Sequence, residues 1–455
     1  MNIPVQKNEH YEMDIVDIGS NGEGIGKIED FTVFVPNAVK GDHIEVRIIK
    51  VKKNFGFGKL IQIITPSPIR GEVKCKVADK CGGCQLQHIS YESQLEWKTQ
   101  KVKNAIERIG GLKGIEVKDT LGMADPFYYR NKAQYPIRLE NGEIKIGFFA
   151  NKSHRVIPTD TCMIQDRRNE QIIEILKKFL IEYKIAIYDE VSHKGLVRHL
   201  VVKTGYYTNE IMICLVMNGH KLPNQEILIE RLLSVPGIKS IVLNHNTART
   251  NVILSSEMTV IHGENFIVDT IGELKFKISP LAFFQVNPVQ TKVLYDKALE
   301  YADLTGSETV WDAYCGIGTI SLFLAQKAKK VYGVEIIEAA IENARANAEL
   351  NGISNADFFA GRAEEVIPTM YQEGIIADTI VVDPPRKGCD VKLLETLVEM
   401  SPKKIVYVSC DPATLARDLA YLCEQGYKVK EVQPVDMFPQ TTHCETVVLM
   451  TKVEK

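Results

Sequence analysis

The chain has no apolar run of about 18 residues, the length a bilayer-spanning helix needs. Its opening stretch, MNIPVQKNEHYEMDIV, has no basic segment followed by an apolar core of the kind a secretory leader carries. Together these lead to the expectation of a cytoplasmic protein with no membrane partner. Charge of one sign is also missing. The formal net charge is only −3, so any surface for a polyanion must be local. Ten cysteines in 455 residues are too dilute for a disulfide scaffold, and in a reducing compartment they read as metal ligands, nucleophiles or small buried groups. There is no internal repeat and no long proline, serine or glutamine tract. With 45% hydrophobic and 25% charged residues the composition is that of a globular protein, and the length exceeds what one core organises, so two to three domains are expected.

What is present falls into three stretches. Residues 11–64 alternate short β-like runs (YEMDIVDI, FTVFVP, HIEVRIIKV, GKLIQII) with glycine turns (GSNGEGIG, NFGFG), the rhythm of a small barrel. Between Lys40 and Lys59 lie Lys40, Arg47, Lys50, Lys52, Lys53 and Lys59 against only Asp42 and Glu45, with Phe55 and Phe57 interleaved. Cations and aromatic rings together suit a phosphate backbone with exposed bases, although a merely solvated basic hairpin has the same composition. Thr65-Pro66-Ser67-Pro68 reads as a linker. A cysteine-bearing loop follows, then SYESQLEWKTQKVKNAIERIG at helical spacing, ending in Gly110-Gly111. Residues 125–278 mix strands (KAQYPIRL, IKIGFFA, LVRHLVVKT, EIMICLVMN, SIVLNHN) with helices such as RNEQIIEILKKFLIEY, an α+β pattern with mostly antiparallel strands.

From about Ser279 strands and helices alternate regularly, which predicts a doubly wound α/β sheet with helices on both faces. Ligands of such sheets bind beyond the carboxyl ends of the parallel strands. Four of those ends carry unusual chemistry: Asp312-Ala313-Tyr314-Cys315-Gly316-Ile317-Gly318, Glu335, Asp383-Pro384-Pro385-Arg386, and Ser409-Cys410-Asp411-Pro412. They are expected to converge. The Gly-x-Gly turn admits close approach of a ligand, and Glu335 has the spacing of an acid that accepts ribose hydroxyls. The turn lacks the fuller G-x-G-x-x-G that cradles a pyrophosphate, so S-adenosylmethionine fits better than NAD.

Cys410 ends an apolar strand and precedes a segment that Asp411 caps and Pro412 opens. A thiol at a helix N-terminus is expected to have its thiolate favoured. An isolated buried cysteine is usually inert; the sheet-edge position beside the Asp-Pro-Pro loop points the other way. Such a thiolate suits methylation at carbon 5 of uracil, which is too weak a nucleophile until a thiol has added at carbon 6. A base must then remove the carbon 5 proton. Glu445 in Thr442-His443-Cys444-Glu445-Thr446 is the candidate, His443 its rival, and Cys444 is read as structural.

These residues resemble the RNA (uracil-5-)-methyltransferases, specifically the ribosomal RNA members with an N-terminal TRAM domain. The resemblance covers nearly the whole chain. It rests on Phe283-Phe284-Gln285-Val286-Asn287, the Asp312–Gly318 loop, Asp383-Pro384-Pro385-Arg386-Lys387-Gly388, Ser409-Cys410-Asp411-Pro412 and His443-Cys444-Glu445-Thr446. It implies an OB-like RNA-binding barrel over 1–66, a central α+β domain over 67–278 and a Rossmann-like methyltransferase domain over 279–455. It also implies Gln285, Tyr314, Glu335 and Asp383 as cofactor contacts, Cys410 as nucleophile and Glu445 as proton acceptor, with Asp383 also facing the base. Thr319 stands where some relatives place an asparagine that touches the cofactor, and is left out. Cys75, Cys81, Cys84 and Cys162 resemble this family's iron–sulfur site. Four thiolates hold either a [4Fe-4S] cluster or zinc, but a zinc ribbon usually offers two Cys-x2-Cys knuckles and this chain offers one. A structural role is implied.

The barrel and the cysteine loop together favour 23S ribosomal RNA over transfer RNA, methylated by a monomer. Tyr128-Tyr129-Arg130-Asn131-Lys132 is a further candidate RNA contact, or else a solvated turn. A cytosine-5 enzyme is disfavoured because Arg386 stands where those enzymes commonly carry a second cysteine. An inactive RNA-binding iron–sulfur protein is disfavoured by intact Cys410 and Glu445.

Overall fold

The computed structural model describes residues 3–453. Five strands, β1 (His10–Ile18), β2 (Gly24–Ile28), β3 (Phe31–Val35), β4 (His43–Val51) and β5 (Phe55–Thr65), close a barrel in the order β1-β2-β3-β5-β4. Alternation points Val33, Val35, Ile44, Val46 and Ile48 inward, all fully buried. Both glycine stretches expected to be turns contribute strand instead: GSNGEGIG runs into β2 and NFGFG into β5. The reason is space. A Cβ on Gly58 would lie 2.2 Å from Val46 Cγ2, and one on Gly26 would lie 2.0 Å from Met13 Cε and 2.5 Å from the Asp14 carbonyl oxygen. In so narrow a barrel these inward positions carry no side chain because groups of the neighbouring paired strand already fill the space.

The Thr65–Pro68 stretch, expected to be a linker, is fastened down. Buried Asp42 accepts from Ser67 N and, through both oxygens, from the Arg70 guanidinium at 2.8 and 2.6 Å. Next comes α1 (Tyr91–Arg108), capped by the Ser90 side chain on Ser93 N. A seven-stranded sheet follows, built from β6 (Lys132–Glu140), β7 (Glu143–Phe149), β8 (Val156–Pro158), β9 (Val197–Thr204), β10 (Ile211–Met217), β11 (Ile238–His245) and β12 (Met258–Gly263). Its order is β12-β11-β10-β9-β6-β7-β8, antiparallel apart from the β10–β11 pair. β9 and β10 are buried along their whole length, as interior strands are. Helices α2 (Arg168–Glu182) and α3 (Gln225–Leu232) pack on one face. A hairpin, β13 (Ile267–Ile271) with β14 (Leu274–Ile278), completes the stretch.

The remaining chain alternates α4 (Pro288–Ala302), β15 (Thr309–Ala313), α5 (Thr319–Ala325), β16 (Lys330–Glu335), α6 (Glu338–Leu350), β17 (Ala356–Ala360), α7 (Ala363–Gln372), β18 (Thr379–Val382), α8 (Val391–Met400), β19 (Lys404–Ser409), α9 (Pro412–Glu424), β20 (Tyr427–Val435) and β21 (Glu445–Lys452). The strands form one doubly wound sheet in the order β17-β16-β15-β18-β19-β21-β20. Six run in one direction, while β21 is antiparallel to both its neighbours, β19 and β20. Strand order reverses between β15 and β18, and there the carboxyl ends open a crevice. Two elements from earlier in the chain join this body: α1 buries Val102 and Ile106 in its core, and the β13–β14 hairpin buries Phe276 and Ile278. Among the described residues no helix is long and apolar enough to cross a membrane.

The packing inside the barrel yields a direct test. Gly26→Ala forces a methyl against the Asp14 backbone and is expected to cost about 1–3 kcal/mol, seen as a lower denaturant midpoint; a wild-type midpoint would show that the β1–β2 pair is looser than described.

Candidate active site

The first strand end turns sharply. After β15, Tyr314 takes φ +74°, Gly316 +56° and Gly318 +83°, and the amides of Tyr314 and Cys315 both donate to the Val334 carbonyl at 2.9 Å. This fastens the turn to β16, whose end carries Glu335. The Glu335 carboxylate accepts from Gly316 N at 3.3 Å and from Ile337 N at 3.0 Å. A Cβ on Gly316 would meet nothing within 4 Å, so the turn's outer face is open. Beneath it, Asp312 is fully buried, with one oxygen accepting from Ser321 Oγ at 2.5 Å and the other without a partner. Burial pushes its carboxyl up to about 7. Gln285 arrives from elsewhere: Asn131 in β6's approach donates to the Gln285 carbonyl at 2.9 Å, and Lys203 in β9 donates to Ser279 O and Ala282 O at 2.8 Å each. The central sheet therefore positions the segment ahead of α4.

Tyr314, Glu335, Gln285, Asp383, Cys410 and Glu445 all line one cavity of about 1060 Å³. Asp383 follows β18, Cys410 follows β19, and Glu445 opens β21. Burial first, and then the charge of Asp383, pushes the Glu445 carboxyl well above the ordinary carboxylate range, while Arg386 pulls it down. Burial likewise raises Asp383. One Glu445 oxygen is buried with no hydrogen-bond partner. The Cys410 thiol reverses an expectation. Instead of being lowered by the helix N-terminus, it is pushed up to about 12 by burial and then by the charges of Glu445 and Asp383, against the pull of Arg386. Asp411 also caps α9 itself, accepting from Ala413 N at 2.8 Å and Thr414 N at 3.3 Å, so part of the dipole's positive end is already answered. His443 goes the other way, down to about 4, from burial and from the nearby cations Arg386, Lys101, Lys98 and Arg130. It is neutral at pH 7. Cys444 is fully buried against backbone oxygens, with no opening to the cavity.

The segment between β20 and β21 is held by one face of α1. Lys98, fully buried, donates to Asp436 Oδ1 at 2.5 Å and to the Phe438 carbonyl at 3.1 Å. Three residues later Lys101 donates to Thr442 O at 2.7 Å, and four residues earlier Gln94 donates to Gln440 Oε1 at 3.0 Å. Spacings of three and four put these side chains on one helix face. Gln440 itself sits at φ +69° and its carbonyl accepts from both Gln85 N and Leu86 N at 3.0 Å. The chain just after Cys84 is thus tied to the segment that ends in Glu445.

Cys75, Cys81, Cys84 and Cys162 line the same cavity. Burial, joined by the other cysteines' charges, pushes Cys84 up to about 12, and it does the same to Cys162, up to about 11. The thiols have therefore been brought near one another, but among the described residues no three His, Cys, Asp or Glu side chains are drawn to ion-binding spacing. In the Tyr128–Lys132 stretch the roles divide. Tyr129 is buried and donates to Pro439 O, Asn131 holds Gln285, and Arg130 and Lys132 face the cavity. Thr319, left out by the sequence reading, lines the cavity and shares a 2.8 Å hydrogen bond with Tyr295 Oη. The raised, half-partnered carboxyl of Asp312 and the α1 face were also not anticipated; the capping signal Asn287-Pro288, which opens α4, was there to be read.

Comparison with known proteins agrees with this geometry. Residues 90–453 match the tRNA (uracil-5-)-methyltransferase family and residues 4–61 match the TRAM domain. The chain is 56% identical over 450 residues to an uncharacterized RNA methyltransferase of Clostridium tetani, covering 99% of this chain and 98% of that one. It is 52% identical over 456 residues to another from Bacillus cereus, covering 100% and 99%. Among solved structures it resembles the Pyrococcus abyssi tRNA (uracil-54, C5)-methyltransferase in complex with S-adenosyl-L-homocysteine, with a TM-score of 0.77 and 29% identity over 97% of this chain and 100% of that one.

Two outcomes test the site's electrostatics. Lys98→Met strands a buried carboxylate and is expected to cost about 3–5 kcal/mol, most of it recovered in Lys98→Met/Asp436→Asn; equal losses in both variants would mean the pair does not act as a unit. For Asp312 the folded state keeps its proton where the unfolded chain has released it. Stability is then fully present below about pH 4, declines as pH rises to about 7 and levels beyond, a change of about 4 kcal/mol. Asp312→Asn should flatten that decline in denaturant titrations between pH 5 and 8, and parallel profiles would contradict it.

Proposed function

The chain belongs to the tRNA (uracil-5-)-methyltransferase family, and from that premise we propose that it methylates carbon 5 of a uridine in 23S ribosomal RNA, using S-adenosylmethionine, with Cys410 as nucleophile and Glu445 as proton acceptor. The observation that carries the reading is the convergence of Cys410, Asp383 and Glu445 on one cavity beside the open Tyr314–Gly316 turn. Residues 1–66 are read as the RNA-binding barrel, 67–278 as the central domain with the cysteine loop, and 279–455 as the methyl-transfer domain; the TRAM match over residues 4–61 supports the first.

The residues fit the methyl donor. Glu335, already fixed by two amides, suits ribose hydroxyls; the open face above Gly316 admits a nucleoside; Gln285, Tyr314 and Asp383 complete the wall. When bound, S-adenosylmethionine supplies an electrophilic methyl group on a sulfonium. The protein's own task is proton management. As the Cys410 sulfur bonds to carbon 6 of uracil its S–H proton must leave, and Asp383, the second carboxylate that repels the thiolate, is placed to accept it, leaving Glu445 free for the later proton. Once carbon 5 carries the methyl group, Glu445 takes the carbon 5 proton, the carbon 5–carbon 6 double bond re-forms and the carbon–sulfur bond breaks. A carboxylate raised by burial is a stronger base than an exposed one, and His443, lowered to about 4, is a weaker one than an ordinary imidazole. This supports Glu445 over its rival.

Cys75, Cys81, Cys84 and Cys162 are proposed to hold a [4Fe-4S] cluster. Four thiols on one cavity, with Cys84 and Cys162 both raised by burial and then by neighbouring cysteines, suit a four-thiolate centre in donor type and number. Such a cluster would draw the four sulfurs in to ligand spacing and pin the loop to the central domain. A transfer RNA uridine is the second reading, favoured by the Pyrococcus enzyme. That enzyme is matched over its full length by 97% of this chain, so the barrel alone does not separate the two substrates.

Labelled methyl transfer into unmethylated 23S ribosomal RNA and, in parallel, unmethylated transfer RNA distinguishes them, and label in transfer RNA alone would replace the substrate. Cys410→Ala is expected to lower turnover roughly a thousandfold or more. Glu445→Gln should accumulate a methylated protein–RNA adduct that survives denaturing electrophoresis and that Cys410→Ala never forms. Turnover undiminished in Cys410→Ala would reject the mechanism.

A further inference from the structure

The barrel carries three large aromatic rings that its own core does not use. In β3 and β5, which run parallel with Thr32 opposite Phe55 and Phe34 opposite Phe57, the inward positions are Val33, Val35, Gly56 and Gly58. Phe34, Phe55 and Phe57 therefore point outward, half-buried, and lie outside the barrel's apolar cluster. They pack against one another, with Ile25 of β2 the cross-strand neighbour of Phe34. Ring centroids are 5.6, 5.9 and 5.5 Å apart, with Phe55 edge-on to both Phe34 and Phe57 at 90° and 83°. Edge-to-face packing leaves ring faces uncovered.

Exposed cations surround these rings. Lys50 is the cross-strand partner of Phe57, Lys59 pairs with Arg47 in the next register, and Lys52 and Lys53 occupy the turn that Lys52 N closes on the Phe55 carbonyl at 2.8 Å. The barrel's ion pairs lie elsewhere: His10 with Glu45, His43 with Glu12 and Asp14, and Lys27 with Asp30. Among the described residues none of these four lysines has a carboxylate within ion-pair distance. An apolar triad alone would suit many partners; ringed by unanswered positive charge it suits a polyanion that also offers flat apolar faces. Unpaired RNA has both, whereas a duplex hides its base faces.

The barrel is also fixed to the body. Trp97 in α1 donates to the Ile18 carbonyl at 3.4 Å, and the β1–β2 turn is so close to the segment ahead of Glu445 that a Cβ on Gly22 would lie 3.2 Å from Thr442 Cγ2. A base held on the barrel thus sits at a set reach from the cavity.

We propose that Phe34, Phe55 and Phe57, with Lys50, Lys52 and Lys59, form a stacking site for unpaired bases of the RNA substrate, separate from the cavity that takes the target uridine. The inference rests on the reading of RNA as the substrate. It is tested on the full-length protein with a short labelled single-stranded RNA of mixed sequence, followed by anisotropy, with no methyl donor and no ribosomal RNA present. Failure here therefore leaves the target assignment untouched, and failure of the target assignment leaves this result standing.

Phe55→Leu and Phe57→Leu are each expected to weaken binding roughly 5- to 100-fold, while Phe57→Tyr, which keeps a ring, binds within about threefold of wild type. Lys50→Gln and Lys59→Gln should each make the salt dependence shallower by about 0.7 in the log–log slope. Thermal melting separates a lost contact from a lost fold, and a leucine variant that melts early is judged by whether the tyrosine variant binds. Leucine variants that bind single-stranded RNA like wild type would overturn the proposal. So would an RNA duplex that binds as tightly as the single strand, or a selective loss of binding to polyglutamate.

Discussion

A lysine with no access to water, Lys98, holds a carboxylate with none, Asp436, and the rest of the reaction centre is arranged around that contact. Two charges taken out of solvent recover their desolvation only when geometry and further hydrogen bonds are good. Here Lys98 also reaches the Phe438 carbonyl and Tyr91 donates to the second Asp436 oxygen at 3.0 Å. The pair contributes little net stability. What it contributes is position: a segment with no regular structure, Asp436 to Cys444, is held in one path, so the first residue of β21 enters the cavity in a single orientation.

That orientation sets up a conflict of charge inside the cavity. Glu445 is buried, Asp383 and Cys410 are half-buried, Asp383 raises the proton affinity of Glu445, and both carboxylates raise that of the Cys410 thiol. Arg386 offsets part of this, from the edge of the same cavity. The result is a site that resists carrying several negative charges at once and so couples any new one to a proton's arrival elsewhere. A near-neutral chain accommodates a polyanionic partner in the same local way. Arg130, Lys132 and Arg386 line the cavity mouth and lysines ring the barrel's rings, while the surface as a whole stays balanced.

Much of the fold could be read from the residues because local rules and global packing agree there. The strand-helix alternation after Ser279, the capped start of α1 and the antiparallel central strands all follow from periodicity and punctuation. Where the reading erred, a tertiary demand overrode a local one. Glycines 26 and 58 signal turns by type, yet sit in strands because the barrel interior has no room for a Cβ. The Thr65–Pro68 stretch signals a linker, yet Asp42 and Arg70, distant in sequence, fasten it. For the site, strand-end positions named the residues that share the cavity, including Cys410, Asp383 and Glu445. They did not reveal that the thiol is raised, because burial and then the two carboxyls outweigh a helix dipole. Nor did they reveal the face of α1, whose Gln94, Lys98 and Lys101 carry meaning only once a partner more than 300 residues away in sequence is known.

The order of strands has a consequence for how the molecule is made. β21 is the latest strand of its sheet to leave the ribosome, yet it lies between β19 and β20 rather than at an edge. Until it emerges, those two strands have no partner on their facing sides, and the cavity lacks the carboxylate that β21 brings. A nascent chain would thus hold the thiol and the open turn without the carboxylate that faces them across the cavity. The cavity is complete only after the closing insertion.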